Sequence, residues 1–193
     1  MYGIFLDTET TGLDPRKHAV LEIAFKVVDL STNELVASYS SIIKLPKTAW
    51  KQRDLHSTEV NGFTWEELEM GQPATNVGRD IIDILCRLNV KRENAVFICQ
   101  NPSFDRSFFS QLIDVYTQEE LHWPYHWLDL ASMFWAITVD KALKNGERPP
   151  EVLSFSKNNI AKTYSLPPEK DPHKAMNGVD HLILCYQKVL GFS

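Results

Sequence analysis

The sequence predicts an α/β fold, a mixed five-stranded sheet with helices on both faces. Three observations carry this: strand-like segments come first and in succession, helical and strand-like segments then alternate, and the strands read as continuous apolar runs. Tyr2 to Leu6 is the first such run. "HAVLEIAFKVVD" (18–29) and "ELVASYSSIIKL" (34–45) follow, separated by "STNE", a turn that makes the three a meander. The next thirty residues, broken by Pro46, Gly62 and "GQP", read as irregular. Val77, Ile81, Ile84, Leu85 and Leu88 then recur at helical spacing. "AVFIC" (95–99) reads as a fourth buried strand, with a helix after Pro102 carrying Phe104, Phe108, Leu112 and Val115. "YHWLDL" reads as a fifth strand leading into a helix through Ala142. Beyond "NGERPP", helices are expected near 155–164 and 179–190.

At 193 residues and 44% hydrophobic, the chain has enough apolar surface for a real core, and no repeat or linker divides it, so one domain over 1–193 is expected. No basic leader followed by an apolar segment opens it, and no apolar run approaches the roughly 20 residues that span a bilayer. A soluble, cytoplasmic protein without a membrane is the expectation. Cys86, Cys99 and Cys185 form no C-x-x-C pair and read as reduced core thiols. A net charge of -5 supplies no global basic field, so a polyanion would have to be held locally. The stretch from Lys141 to Lys174, with seven basic and four acidic residues, is a local excess that reads either as a guide for a phosphate backbone or as a solvated helix face.

The chemistry begins in "GIFLDTETTG", which ends the first strand on acids. Residues i and i+2 of a strand share a face, so Asp7 and Glu9 project together, and paired carboxylates repel unless a cation lies between them. Asp105, in "NPSFDRSFF", occupies the first turn of the helix after the fourth strand, with Ser103 as a candidate cap. Functional groups collect at the carboxyl ends of such strands, and the three acids meet there if strands one and four are neighbours. "DPHKAMNGVDH" adds His173 in a loop and Asp180 in the last helix. Hard oxygen donors of this kind suit Mg²⁺ or Mn²⁺, and an imidazole beside them suits proton transfer near neutral pH.

On "DTETTGL", "NPSFDRSFF" and "HKAMNGVD", supported by "VNGFT" and "WLDLASM", the chain resembles the DEDDh family of 3'-to-5' exonucleases. That group includes polymerase proofreading subunits, RNase T and oligoribonuclease. The resemblance implies an RNase H-like fold and two metal ions, Mg²⁺ or Mn²⁺, about 4 Å apart. It implies Asp7, Glu9 and Asp105 as ligands and His173 as general base. Thr10, Thr11, Gly12 and Leu13 would hold and wedge the terminal nucleotides, with Asn101 bordering them and, with Phe104, supporting Asp105. The implied substrates are single-stranded DNA or RNA 3' ends, and the implied partners a polymerase or a second copy of the chain. One position departs: the family's last acid, five residues after the histidine, is Gly178 here, and Asp180 is the nearest replacement, since i and i+7 share a helix face with His173. That departure leaves two alternatives, a weakened relative that binds without cutting and an oligoribonuclease-like hydrolase of very short fragments.

Overall fold

The computed structural model describes residues 1–170 and 172–191. Five strands form one sheet in the order β3-β2-β1-β4-β5: β1 (Tyr2–Thr10), β2 (Val20–Asp29), β3 (Glu34–Ile42), β4 (Ala95–Cys99) and β5 (Trp127–Asp129). β1 is antiparallel to β2 and parallel to β4, and β4 is parallel to β5. The first and fourth strands are therefore neighbours, as the convergence of acids required. The expected mixed α/β architecture is the observed one. Asn33, with φ 62°, turns β2 into β3, a left-handed conformation that asparagine tolerates.

Alternation along β1 divides the core. Ile4 and Leu6 pack with α4 (Ala74–Arg87) and α5 (Pro102–Phe109) on one side. Phe5 packs on the other with α7 (Leu130–Lys144), α8 (Lys157–Thr163) and α9 (Ala175–Leu190). The segment expected to be irregular holds three short helices, α1 (Lys47–Lys51), α2 (Leu55–Asn61) and α3 (Trp65–Glu69). At five to seven residues each, they are too short to display a period. The helix after Pro102 stops at Phe109, and Val115 belongs to a separate helix, α6 (Val115–Glu120). All three cysteines are free; Cys99 and Cys185 are buried, whereas Cys86 is exposed and is not the core thiol expected. Among the described residues, no helix is long and apolar enough to cross a membrane.

Candidate active site

Asp7 and Glu9 leave β1 on the side that carries α8 and α9, and Thr8 leaves it on the opposite side. The Thr8 hydroxyl donates to Asp105 Oδ1 at 3.0 Å and so ties the end of β1 to α5. Pro102 starts α5 because its missing N–H belongs to a helix end that needs none, which sets Asp105 in the first turn. Ser103 does not cap this helix; its hydroxyl donates instead to Asn101 Oδ1 at 2.6 Å. Asp129, by contrast, caps α7 by accepting from the Ala131 and Ser132 amides.

The acids are crowded and poorly solvated. Burial, reinforced by the nearby charge of Asp7, pushes Asp105 and Glu9 each up to about 8. Asp7 is also raised by burial, against the pull of Lys157. The Lys157 ammonium lies 3.2 Å from Asp7 Oδ1 and 3.2 Å from Glu169 Oε2, with the side chain of Glu169 only 2% exposed. Burial alone would lower the Lys157 pKa, yet Asp7 and Glu169 raise it above its ordinary value. Glu169 further faces His173 Nδ1 and His181 Nδ1, each at 3.8 Å. Glu22, opposite Glu9 on β2, accepts from the Ala175 amide at 2.7 Å and so secures the start of α9. Among the described residues, no three His, Cys, Asp or Glu side chains are drawn tightly enough together to close round a metal ion.

The other expected residues lie at the end of β1, in the turn after it and at the start of α5. Thr10 and Thr11 are buried, the Thr10 hydroxyl bonding to the Gly12 carbonyl and the Thr11 hydroxyl accepting from the Ala19 amide. Gly12 lies so close to the His18 ring that a Cβ would stand 2.5 Å from it. Leu13, 75% exposed, and Asn101 line one hollow with Phe104. Asn101 also borders a larger groove of about 790 Å³ lined by Asp129, Trp135, Leu153 and Phe155.

Asp180 is the exception. The helix α9 begins at Ala175, after His173, and runs through Asn177 and Gly178 without a turn, so the i, i+7 relation to His173 does not apply. Two residues along a helix is about 200° of rotation. Gly178 accordingly faces Asp7, a Cβ there standing 2.1 Å from Asp7 Oδ2, while the half-exposed Asp180 turns away to pair with Lys26 on β2. The residues that sequence reasoning missed are Lys157, Glu169 and Glu22. Lys157 and Glu169 fall in the stretch from Lys141 to Lys174 that reads from sequence as a solvated face or a phosphate guide; Asp171, in the same stretch, lies outside the described residues. The one local signal was a lysine in the first turn of a helix, where the dipole disfavours a cation.

Comparison with known proteins places the chain in a family and supports its fold. A family model described as "Exonuclease" matches residues 4–182. Two curated relatives, both DNA polymerase III PolC-type, are similar over 105 residues: 31% identical in Thermotoga petrophila and 29% in Thermotoga maritima. Each match covers 54% of this chain and 7% of the relative, so the chain spans a small fraction of the length of those polymerases. Among solved structures, cell-death related nuclease 4 superposes with a TM-score of 0.75 at 14% identity, covering 100% of this chain and 64% of that one. Exonuclease I of E. coli, in complex with a dT13 oligonucleotide, gives 0.75 at 17% identity, covering 97% and 40%. At these identities the structural likeness speaks for the fold.

Proposed function

Because the chain belongs to the exonuclease family, we propose that it is a divalent-metal-dependent 3'-to-5' exonuclease that releases nucleoside 5'-monophosphates from single-stranded DNA or RNA. The observation that carries this reading is that Asp7, at the end of the central strand, lies within electrostatic reach of both Glu9 on the same strand and Asp105 in the first turn of α5. Family members generally use divalent ions, and a set of hard carboxylate donors, two of them held near 8 by burial, fits Mg²⁺ or Mn²⁺. Asp7, Glu9 and Asp105 would hold the metal. Once bound, it supplies stabilisation of the negative charge that develops on the phosphoryl oxygens.

The protein's own groups do the rest. His173 takes a proton from the attacking water, and Glu169, 3.8 Å from its Nδ1, orients the ring and stabilises the imidazolium. The water oxygen bonds to phosphorus, the bond to the 3' oxygen of the preceding nucleotide breaks, and that oxygen takes up a proton from solvent as it leaves on a strand one nucleotide shorter. The exposed Leu13 and the backbone from Thr10 to Gly12 position the terminal nucleotides, and Asn101 borders both the hollow and the groove. Exonuclease I, a fold neighbour, was solved with a single-stranded oligonucleotide, which supports a single strand as the substrate here. The PolC-type relatives support a polymerase as a partner. The free cysteines are compatible with a reducing compartment such as the cytoplasm.

The test is stepwise shortening of single-stranded DNA and RNA in Mg²⁺ or Mn²⁺, with Asp7→Ala as control. Wild type should shorten strands and Asp7→Ala should not; equal inertness of both on a folded chain would discard the nuclease reading. Cleavage confined to dinucleotides would reassign the substrate to very short fragments. A second reading, a relative that binds strands without cutting, is favoured by Gly178 and by the Lys157–Asp7 ion pair. It predicts retention of a labelled strand by a chain that leaves it intact.

A further inference from the structure

Lys157 is a cation in an unusual place. It opens α8, where the helix dipole disfavours positive charge, and its side chain is only 13% exposed. Its Nζ contacts Asp7 Oδ1 at 3.2 Å and both oxygens of Glu169, at 3.3 and 3.2 Å. It also lies 2.9 Å from where a Cβ on residue 178 would stand. A buried ion pair is weak evidence of a stabilising role, because desolvation offsets much of the attraction and an apolar side chain fills the same space as well. The position of this one is more informative. The space that a side chain at 178 would enter is filled by the Asp7 carboxylate, with Oδ2 at 2.1 Å, and by the ammonium paired to it.

We propose that Lys157 is a resident cation that replaces one of the two metal ions, so that this chain takes a single divalent ion. The inference rests on the reading of Asp7, Glu9 and Asp105 as the ion-holding acids. Three requirements of a second ion between Asp7 and position 178 are missing together: residue 178 has no carboxylate, the space holds Nζ, and Asp7 Oδ1 is already paired. Glu169 completes the substitution as the second carboxylate on the ammonium, and its amide is held in turn by Asn158 Oδ1 at 2.8 Å. Glycine at 178 and lysine at 157 are then two halves of one change. An acid at 178 crowds both Asp7 and the ammonium, so Asp7 can make room for it only once the lysine that pins its carboxylate is gone, and loss of the lysine without the acid leaves Asp7 and Glu169 facing each other without a cation.

The experiment is titration of the metal-free chain with Mn²⁺, followed by calorimetry and by the electron paramagnetic resonance of free Mn²⁺. Wild type should bind one ion. Lys157→Met should still bind one but at least about tenfold more tightly, because a positive charge near the ion has been removed. Lys157→Arg, which keeps the charge, should stay within a few-fold of wild type. The double variant Lys157→Met with Gly178→Asp should bind two. Two ions on wild type, or an affinity unmoved in Lys157→Met, would overturn the inference even if the double variant does not fold. Strand shortening is read separately. A wild type that degrades strands with two Mn²⁺ keeps the nuclease reading and loses this one, and an inert wild type with one ion that rises to two in the double variant does the reverse. No binding at all would remove both.

Discussion

At position 178 the usual arithmetic of helix propensity reverses. Replacing a glycine inside a helix by alanine ordinarily gains about 0.5–1 kcal/mol through reduced freedom of the unfolded chain. Here the added Cβ would stand 2.1 Å from Asp7 Oδ2 and 2.9 Å from Lys157 Nζ, and Asp7 is a short, paired side chain with little room to retreat. Gly178→Ala is therefore expected to destabilise by roughly 1–3 kcal/mol, the range of an overpacked interior, as read by urea unfolding. A gain instead would mean that Asp7 swings aside at little cost. Two residues on, the expectation is the opposite. Asp180 is half-exposed and its pair with Lys26 lies outside the acid cluster, so Asp180→Asn should leave Mn²⁺ affinity and strand shortening within a few-fold of wild type and cost no more than about 1 kcal/mol. A steep loss of metal affinity in that variant would return Asp180 to the site.

Among the elements, α9 decides which residue meets Asp7, and its start is fixed from outside the helix. Lys174 at the N-cap makes no side-chain cap, and the carboxylate of Glu22, on β2, accepts the Ala175 amide instead. Glu22→Ala should cost roughly 0.5–2 kcal/mol, the value of a lost cap, measurable as a lower unfolding midpoint at unchanged denaturant slope; an unmoved midpoint would show that α9 holds its start without Glu22. This borrowed cap also explains what the sequence could not disclose. The strands were legible because their apolar runs and the turn at 31–34 are local signals, and the acids of β1 were legible because a period of two is local as well. The start of α9 was not, since the residue that caps it lies 153 positions away. Reading the helix as beginning near Val179, and His173 as sharing its face, made Asp180 the natural ligand. Lys157 and Glu169 were hidden for the same reason: each looks like a solvated charge until α8 and α9 are folded against β1.

For the whole molecule, the same buried acids should shape stability against pH. Glu9 and Asp105 titrate near 8 in the folded chain and near 4 when unfolded, so between those values the folded state holds more protons and stability falls as pH rises. Surface carboxylates act in the other direction. Asp14, hydrogen-bonded by Arg16, is held down to about 2, and Asp29 and Asp114 are lowered by their neighbouring hydroxyls, so their contributions are present above about 4 and lost as pH drops below it. The raised pKa of Lys157 adds stability that disappears only on the strongly alkaline side, beyond this window. The metal-free chain is thus expected to be most stable near about pH 5, with the unfolding temperature declining steadily toward about pH 8 and levelling beyond it. A divalent ion binds only the ionised acids, so Mg²⁺ or Mn²⁺ should raise the unfolding temperature more at pH 8 than at pH 6 and flatten the alkaline decline. Thermal scans across this range with the metal and with a chelator measure both limbs. A chelated chain equally stable at pH 6 and pH 8 would mean that Glu9 and Asp105 are already ionised in the fold, with Lys157 and the surrounding dipoles sufficient to hold them so.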